Sequence, residues 1–383
     1  MTPRSADQGP LTGLRVLEVA TLYAAPQVAT MLGDLGADVV KIESPAGDPL
    51  RRMGQQRSGR SVPWELVGRN KRSVVLDFDG AERSDDQETF RRLVGAADVV
   101  VENLPARVRR RWECEYEQLT AMNAALVVVS VSCYGRSGPY ADRPGAGTLA
   151  EAFGGLTNMT GEADGPPMLA SVAIGDTLTA FAGVVGALAA CWSRDARGGS
   201  GRHVDVSMYE PVLAIMAGTV AGWDGEGSAP TRTGSRVAGG APRNVYRTRD
   251  GRHVAVSGTT DPQVARVLEL IGRTTPADHS RFGRSDDRQR VADELDALVA
   301  AWIAERDRDE VVHALLEARV GVSPVNDVAD LLADPHIAAR ASLVDVGSIR
   351  VPAPLPTMSG TRRAPGHAPD LGADRDAVLS EWL

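Results

Sequence analysis

From Leu14 onward, short runs of Val, Leu and Ile alternate with longer stretches of helical periodicity: LRVLEVA, PQVATMLGDLGA, DVVKIE, RSVVLDF, ETFRRLVGAA, DVVVEN, YEQLTAMNA and LVVVSVSCYG. Strands that are apolar at nearly every position must be covered on both faces, and helices of about 10–15 residues between them supply that cover. The pattern predicts βαβ units around a parallel sheet, so the first half of the chain is α/β. After Gly135 the text turns rich in Gly and Pro, then produces a small-residue helix from about Thr177 to Arg194 and a strand-like GRHVDVSMYE. The Gly, Ser, Pro and Thr content of Trp223 to Pro242 marks a linker. Beyond it, RNVYRTRDGRHVAVSG reads as a hairpin turned at Asp250-Gly251, and RQRVADELDALVAAWIAERD and DEVVHALLEARV as amphipathic helices. The expected organisation is a large domain begun by residues 1–222, a linker at 223–242, a smaller α+β domain at 243–320, and a proline-punctuated segment, 321–383, that returns to the large domain.

Composition adds limits to this picture. The 383 residues are 43% apolar and 24% charged, the proportions of an ordinary globular protein. A net charge of −8 argues against a nucleic-acid partner, which needs surplus Lys and Arg to displace counterions. Cys114, Cys133 and Cys191 are odd in number and widely spaced, which suits reduced thiols and a cytoplasmic location. The N-terminal MTPRSADQGP has no apolar leader segment, and no run approaches the about 18 uninterrupted apolar residues of a membrane span; Ala180 to Trp192 is the longest candidate. No membrane partner is expected.

Several chemistries can be tested by their motifs. Glu43 ends the second strand, where a nicotinamide dinucleotide site would keep its ribose acid, but the first turn is ATLYAAPQVA and lacks the glycines that admit a pyrophosphate. There is no Walker loop. The six histidines show no i, i+4 pair and no carboxylate at metal-ligand spacing, so no metal is expected. The serines of SMYEP and VSVSCYG do not sit in Gly-x-Ser-x-Gly. Two basic stretches, RNKRS (Arg69 to Ser73) and RVRRRW (Arg107 to Trp112), are either solvated faces or seats for a phosphate-bearing ligand. VENL precedes the second and ends a strand at its carboxyl edge, where open α/β sheets bind ligands. Asp176, at the mouth of a small-residue helical run, is either a helix cap or a carboxylate kept ionised by the helix dipole for nucleophilic work.

Read together, GLRVLEV…AAPQVATMLGDLGADVVKIESPAGDPLR, NKRSVVLDF, DVVVENL, SCYGRSGPYADRPG, AIGDTLTAFAGVVGALAACWSRDARGGSGRHVDVSMYE, APRNVYRTRDGRHVAV and VSPVNDVADLLADPHIAARASLVDV resemble, in order and spacing, the class III CoA-transferase family. That family includes formyl-CoA and carnitine CoA-transferases and 2-methylacyl-CoA racemases, and the likeness runs from about residue 13 to the C-terminus. It implies a Rossmann-like large domain, a smaller domain, and an interlocked homodimer. It also implies covalent catalysis: Asp176 attacks an acyl-CoA, and a mixed anhydride and an aspartyl-CoA thioester carry CoA to an incoming carboxylic acid. Coenzyme A, as part of the substrate, takes the place of a cofactor. By matching position, Lys71, Arg72, Asn103, Leu104 and Arg110 hold the CoA nucleotide and pantetheine, with Arg143 and Ala146 in the same binding set. Leu22 and Tyr23 line the thioester end, and Gly239 and Gly240 correspond to a glycine loop over the active site. Backbone N–H groups at the start of the Asp176 helix or in VAGGAP are the expected oxyanion donors.

Departures from the family pattern bear on substrate. The racemase branch moves the α-proton with a histidine followed by an aspartate after R-x-G, where this chain has Ala146 and Gly147. Neither accepts a proton. Tyr23, Met53 and Ser44 replace the glutamine, tryptophan and CoA-contacting arginine of formyl-CoA transferases, which disfavours formyl and oxalyl groups, and the less charged pocket widened by Ala146 and Gly147 points to a bulkier acyl group. Transfer of CoA is the leading reading; a racemase with another second base and a non-catalytic CoA-thioester binder are the alternatives.

Overall fold

The computed structural model describes residues 9–78, 83–227, 229–237, 239–359 and 364–383. Most of the N-terminal stretch inspected for a leader, together with Ser228 and Ala238 of the expected linker, lies outside the described residues. The chain divides into two units, one formed by Met1–Thr157, Leu169–Gly227 and Ala339–Leu383, the other by Asn158–Met168 and Ser228–Ala338.

The first unit is built on six parallel strands: β1 (Arg15–Val19), β2 (Asp38–Glu43), β3 (Lys71–Val75), β4 (Val99–Glu102), β5 (Val127–Ser132) and β6 (His203–Ser207), in the order β3-β2-β1-β4-β5-β6. This is the doubly wound, Rossmann-like order, in which the direction of winding reverses between β1 and β4. Register puts Val16, Val39, Val99 and Val127 on one face, which packs on the helices Ala24–Asp34 and Ile174–Arg197. Leu17, Val40, Val100 and Val128 point the other way, toward the helices Arg83–Ala96, Tyr116–Met122 and Arg375–Trp382. Both faces are therefore dry, as the unbroken valine runs require.

The helix Ile174–Arg197 extends three residues beyond the expected stretch at each end. Its small residues permit close packing; a Cβ on Gly183 would stand 2.6 Å from Val28 Cγ2 of the helix Ala24–Asp34. Contrary to the expectation from uninterrupted apolar runs, this helix is long and apolar enough by length and composition to cross a membrane. Buried core helices meet the same criterion, and its small-residue face lies in the core.

The C-terminal residues cover the exposed edge at β3. Gly372 N–H donates to Ser73 Oγ at 2.9 Å, Ser73 N–H to Asp374 at 2.8 Å, and Trp382 Nε1 to Asp38 at 2.8 Å. An uncovered edge strand would template pairing with another chain. The second unit holds an antiparallel sheet of β7 (Arg243–Arg247), β8 (His253–Ser257) and β9 (Gly321–Pro324), with β7 and β8 turned at Asp250-Gly251. Tyr246, Val254 and Val256 pack there against the helices Asp261–Leu270, Ala292–Ala304 and Arg308–Glu317. Because β9 completes this sheet, the chain leaves the second unit near Ala339 rather than at residue 321. Asn158–Met168, taken from sequence as part of the large domain, also belongs to the second unit.

Beneath the first sheet face lies a buried charge cluster. Lys41 Nζ is 2.6 Å from Glu18, 2.9 Å from Asp48 and 2.7 Å from the Ala20 carbonyl oxygen. Lys71 Nζ pairs with the other Glu18 oxygen at 2.5 Å and donates to Pro26 O at 2.8 Å. Burial and the neighbouring Lys41 cation pull the Lys71 ammonium down to about 8, against the attraction of Glu18. Burial also opposes the charge on Lys41, but Glu18, Asp48 and Glu43 together hold it well above the ordinary lysine range. Removing one member strands the others in a dry interior. We expect Lys41→Met to cost about 3–5 kcal/mol in urea unfolding; a loss below about 1 kcal/mol would show that the cluster does not support the fold.

Candidate active site

The reversal of winding between β1 and β4 opens a crevice at their carboxyl ends, the place where doubly wound sheets accept ligands. Asn103, immediately after β4, bridges it: its Oδ1 accepts from Thr21 N–H at 3.0 Å and its Nδ2 donates to Thr21 O at 2.8 Å. The side chain expected to contact a ligand is thus engaged in joining two strand ends. Beside it a cavity of about 470 Å³ runs from Asn103, Leu104, Arg107 and Arg109 to Cys133, Arg136, Arg143 and Gly145.

The expected binding residues separate on this geometry. Asn103, Leu104 and Arg143 line the cavity, with Arg143 stacked 3.5 Å over the Tyr140 ring. Arg110 is exposed and does not; Arg107 and Arg109 of the same short helix do. Lys71 is also placed elsewhere, in the buried charge cluster, and Arg72 pairs with Asp38 and Glu381 at the amino end of β3. Strand alternation explains the pair: adjacent residues point to opposite faces, and both begin β3, far from its carboxyl end. Gly239 and Gly240 belong to the second unit, where Gly239 has φ +88° and Gly240 packs on Thr259.

Asp176 occupies the first turn of the helix Ile174–Arg197 but does not cap it; the cap is Ala173, which makes no side-chain bond. The backbone N–H groups of Ala24, the first residue of the helix Ala24–Asp34, and of Asp176 itself favour its ionised form. Two helix starts therefore converge on one carboxylate, and each contributes positive potential. A third start, that of Gly147–Phe153, touches it as well: a Cβ on Gly147 would overlap the Asp176 carboxylate. Gly147 lies next to Ala146, whose carbonyl oxygen is 3.8 Å from Cys133 Sγ, and Cys133 lines the cavity. This contact series connects the cavity to Asp176.

The backbone leading into the site is unusual. Leu22 holds φ +68° and is exposed, and its N–H faces Asp48 Oδ1 at 3.4 Å. A left-handed conformation costs an ordinary L-residue energy and is retained where surrounding structure demands it. Tyr23 follows as the cap residue of Ala24–Asp34, its phenol pushed up by burial and by the charge of Asp176. Burial likewise raises the Cys133 thiol, with Asp176 adding to the effect.

The first two amides of the Asp176 helix are already committed, contrary to their expected role as oxyanion donors. Ile174 N–H donates to Val172 O at 2.9 Å and Gly175 N–H to Glu151 at 2.9 Å. Glu151 was missed at the sequence level; its one signal is an acid among Leu149, Ala150, Ala152 and Phe153.

Burial and then Glu151 raise the Asp176 carboxyl above the ordinary aspartate value of 3.8, although two backbone amides oppose them. The native state consequently holds its proton to higher pH than the unfolded chain, so this group lowers stability as pH rises through that window. At neutral pH the full penalty is present. Asp176→Asn is expected to raise the midpoint of thermal unfolding at pH 7, with the gain fading as pH falls toward 3.8. An equal or lower midpoint at pH 7 would count against a destabilised carboxylate.

Comparison with known proteins places this geometry. The model of CoA-transferase family III matches residues 11–375. A succinyl-CoA–D-citramalate CoA-transferase of Chloroflexus aurantiacus is 35% identical, over 98% of this chain and 94% of its own. A succinyl-CoA:mesaconate CoA-transferase of Haloarcula hispanica is 34% identical, over 97% of this chain and 96% of its own. The crystal structure of a CAIB/BAIF family protein from Brucella suis superposes with a TM-score of 0.85 at 31% identity, covering 98% of this chain and all of that one. With its family motifs, its doubly wound sheet and full-length relatives in agreement, the chain belongs to the class III CoA-transferase family of enzymes.

Proposed function

We propose that this protein moves coenzyme A from an acyl-CoA to a carboxylic acid through covalent intermediates on Asp176. The observation that carries the reading is the Asp176 carboxylate itself, half-buried, without a cation partner among the described residues and set at converging helix starts. Such a group is poorly solvated and accessible to attack a carbonyl carbon. In the first step an Asp176 oxygen bonds to the thioester carbon and the C–S bond breaks, giving a mixed anhydride and CoA thiolate. The thiolate then attacks the aspartyl carbonyl carbon and expels the donor as a carboxylate, leaving an aspartyl-CoA thioester. An acceptor carboxylate attacks that thioester and releases the thiolate, which finally bonds to the acceptor's carbonyl carbon and frees Asp176. Charge and atoms balance with no proton or oxidant consumed.

Each addition needs a donor for its oxyanion. We assign that role to the positive amino end of the helix Ala24–Asp34. Leu22 and Tyr23 stand beside the reacting carbonyl in this reading, and Ala146 leaves room for it. Arg107, Arg109, Arg136 and Arg143 are better placed than Lys71, Arg72 and Arg110 for the phosphates of CoA, with Leu104 and Asn103 along the pantetheine. By the family resemblance, Gly239 and Gly240 remain the proposed glycine loop. Succinyl-CoA is the proposed donor and a short dicarboxylic acid the acceptor, since the relatives named above pair succinyl-CoA with D-citramalate or mesaconate. The succinyl group exceeds formyl and oxalyl in size, as the small Ala146 and Gly147 permit.

A homodimer is proposed as well. Phe181, Val185 and Trp192 share one face of the helix Ile174–Arg197, with Val185 68% and Trp192 71% exposed, and Leu149 and Phe153 are exposed too. Apolar exposure of this kind marks an interface. The interlocked form is what the family resemblance implies.

Two measurements test these readings. With succinyl-CoA and hydroxylamine, mass spectrometry should find the trapped modification on the Asp176 peptide alone, and Asp176→Ala should lose at least about 10³-fold in transfer. An unmodified Asp176, or an active Asp176→Ala, would end the covalent reading. Light scattering should return twice the 40.5 kDa chain mass; a monomer at micromolar concentration would remove the dimer.

A further inference from the structure

We propose that Glu151 is a positioning residue for Asp176: it ties down the amide preceding the nucleophile and keeps a second negative charge behind it. The proposal rests on the reading of Asp176 as the nucleophile. Glu151 lies on the helix Gly147–Phe153 and is 1% exposed. Its Oε1 accepts the Gly175 N–H at 2.9 Å, and no ion pair with a described lysine or arginine compensates it. The two helices meet closely at Gly175, where a Cβ would stand 2.7 Å from the Gly147 carbonyl oxygen and 3.2 Å from Glu151 Cγ.

Two consequences follow for the nucleophile. The first turn of a long helix offers free N–H groups that would stabilise a carboxylate and reduce its basicity. Glu151 takes one of those donors away. Its charge also opposes ionisation of Asp176, and the other groups facing that carboxylate, Tyr23 and Cys133, bring no cation to offset it. A more basic carboxylate is the stronger nucleophile toward a thioester, provided it stays ionised at the working pH. Glu151 thus tunes Asp176 between being quenched by its own helix and being protonated.

The test separates charge from shape. Glu151→Gln keeps the size and an oxygen for Gly175 N–H but removes the charge. Titration of the Asp176 carboxyl carbon by ¹³C NMR, without substrate and assigned by its loss in Asp176→Asn, reports the coupling directly. In Glu151→Gln that midpoint and the acid limb of CoA transfer should both fall by about one pH unit. A midpoint unchanged from wild type overturns the proposal. Should Glu151→Gln not fold, the wild-type titration decides: a midpoint at or below 3.8 overturns it. If the midpoint moves in a protein that neither transfers CoA nor traps on Asp176, the functional reading fails while the coupling stands.

Discussion

Lys41 has no access to water and is surrounded by Glu18, Asp48 and the Ala20 carbonyl oxygen, and this packing of charge in a dry interior constrains much of the first unit. The cluster joins β1, β2 and β3, and through the Lys71 bond to Pro26 it fixes the start of the helix Ala24–Asp34. Asp48 extends it to the Leu50 and Leu22 amides. A buried charge tolerates little displacement, because any partner lost leaves an unpaired ion. Rigidity is therefore delivered to the segment that carries Leu22, Tyr23 and the Ala24 amide to Asp176.

Among the described residues, helix ends rather than cationic side chains surround Asp176. An arginine or lysine beside Asp176 would neutralise the carboxylate and depress its basicity, whereas amide dipoles supply weaker and directional stabilisation. Arg107, Arg109, Arg136 and Arg143 instead line the neighbouring cavity, where Arg109 pairs with Glu115 and Arg136 with Glu102. Separation of the arginines from the carboxylate follows from topology: the cavity lies beyond β4 and β5, while the acid arrives on the crossover helix leading to β6.

Glycine governs the distance between the parts. Gly147 admits the Asp176 carboxylate, Gly175 admits the Gly147 carbonyl oxygen, and Gly183 admits Val28. Each is a place where a methyl group would separate elements that must touch. Asn103 and Thr21 serve the same end by hydrogen bonding, holding the strand ends together at the point where winding reverses.

Much of this was legible in the chain. Valine runs at strand spacing announced a sheet covered on both faces, and the turn at Asp250-Gly251 announced the hairpin, because periodicity and turn chemistry are local properties. The motif blocks identified the family and singled out Asp176. Tertiary structure alone decided the surroundings of Asp176, since Ala24, Gly147 and Glu151 come from segments whose meeting depends on helix packing. It also decided that Lys71 faces the interior and Arg72 the amino end of the sheet, and that Arg109 lines the cavity while Arg110 does not. Composition shows that a residue can carry charge, but the direction of its side chain follows from strand alternation, helix phase and the elements packed against it.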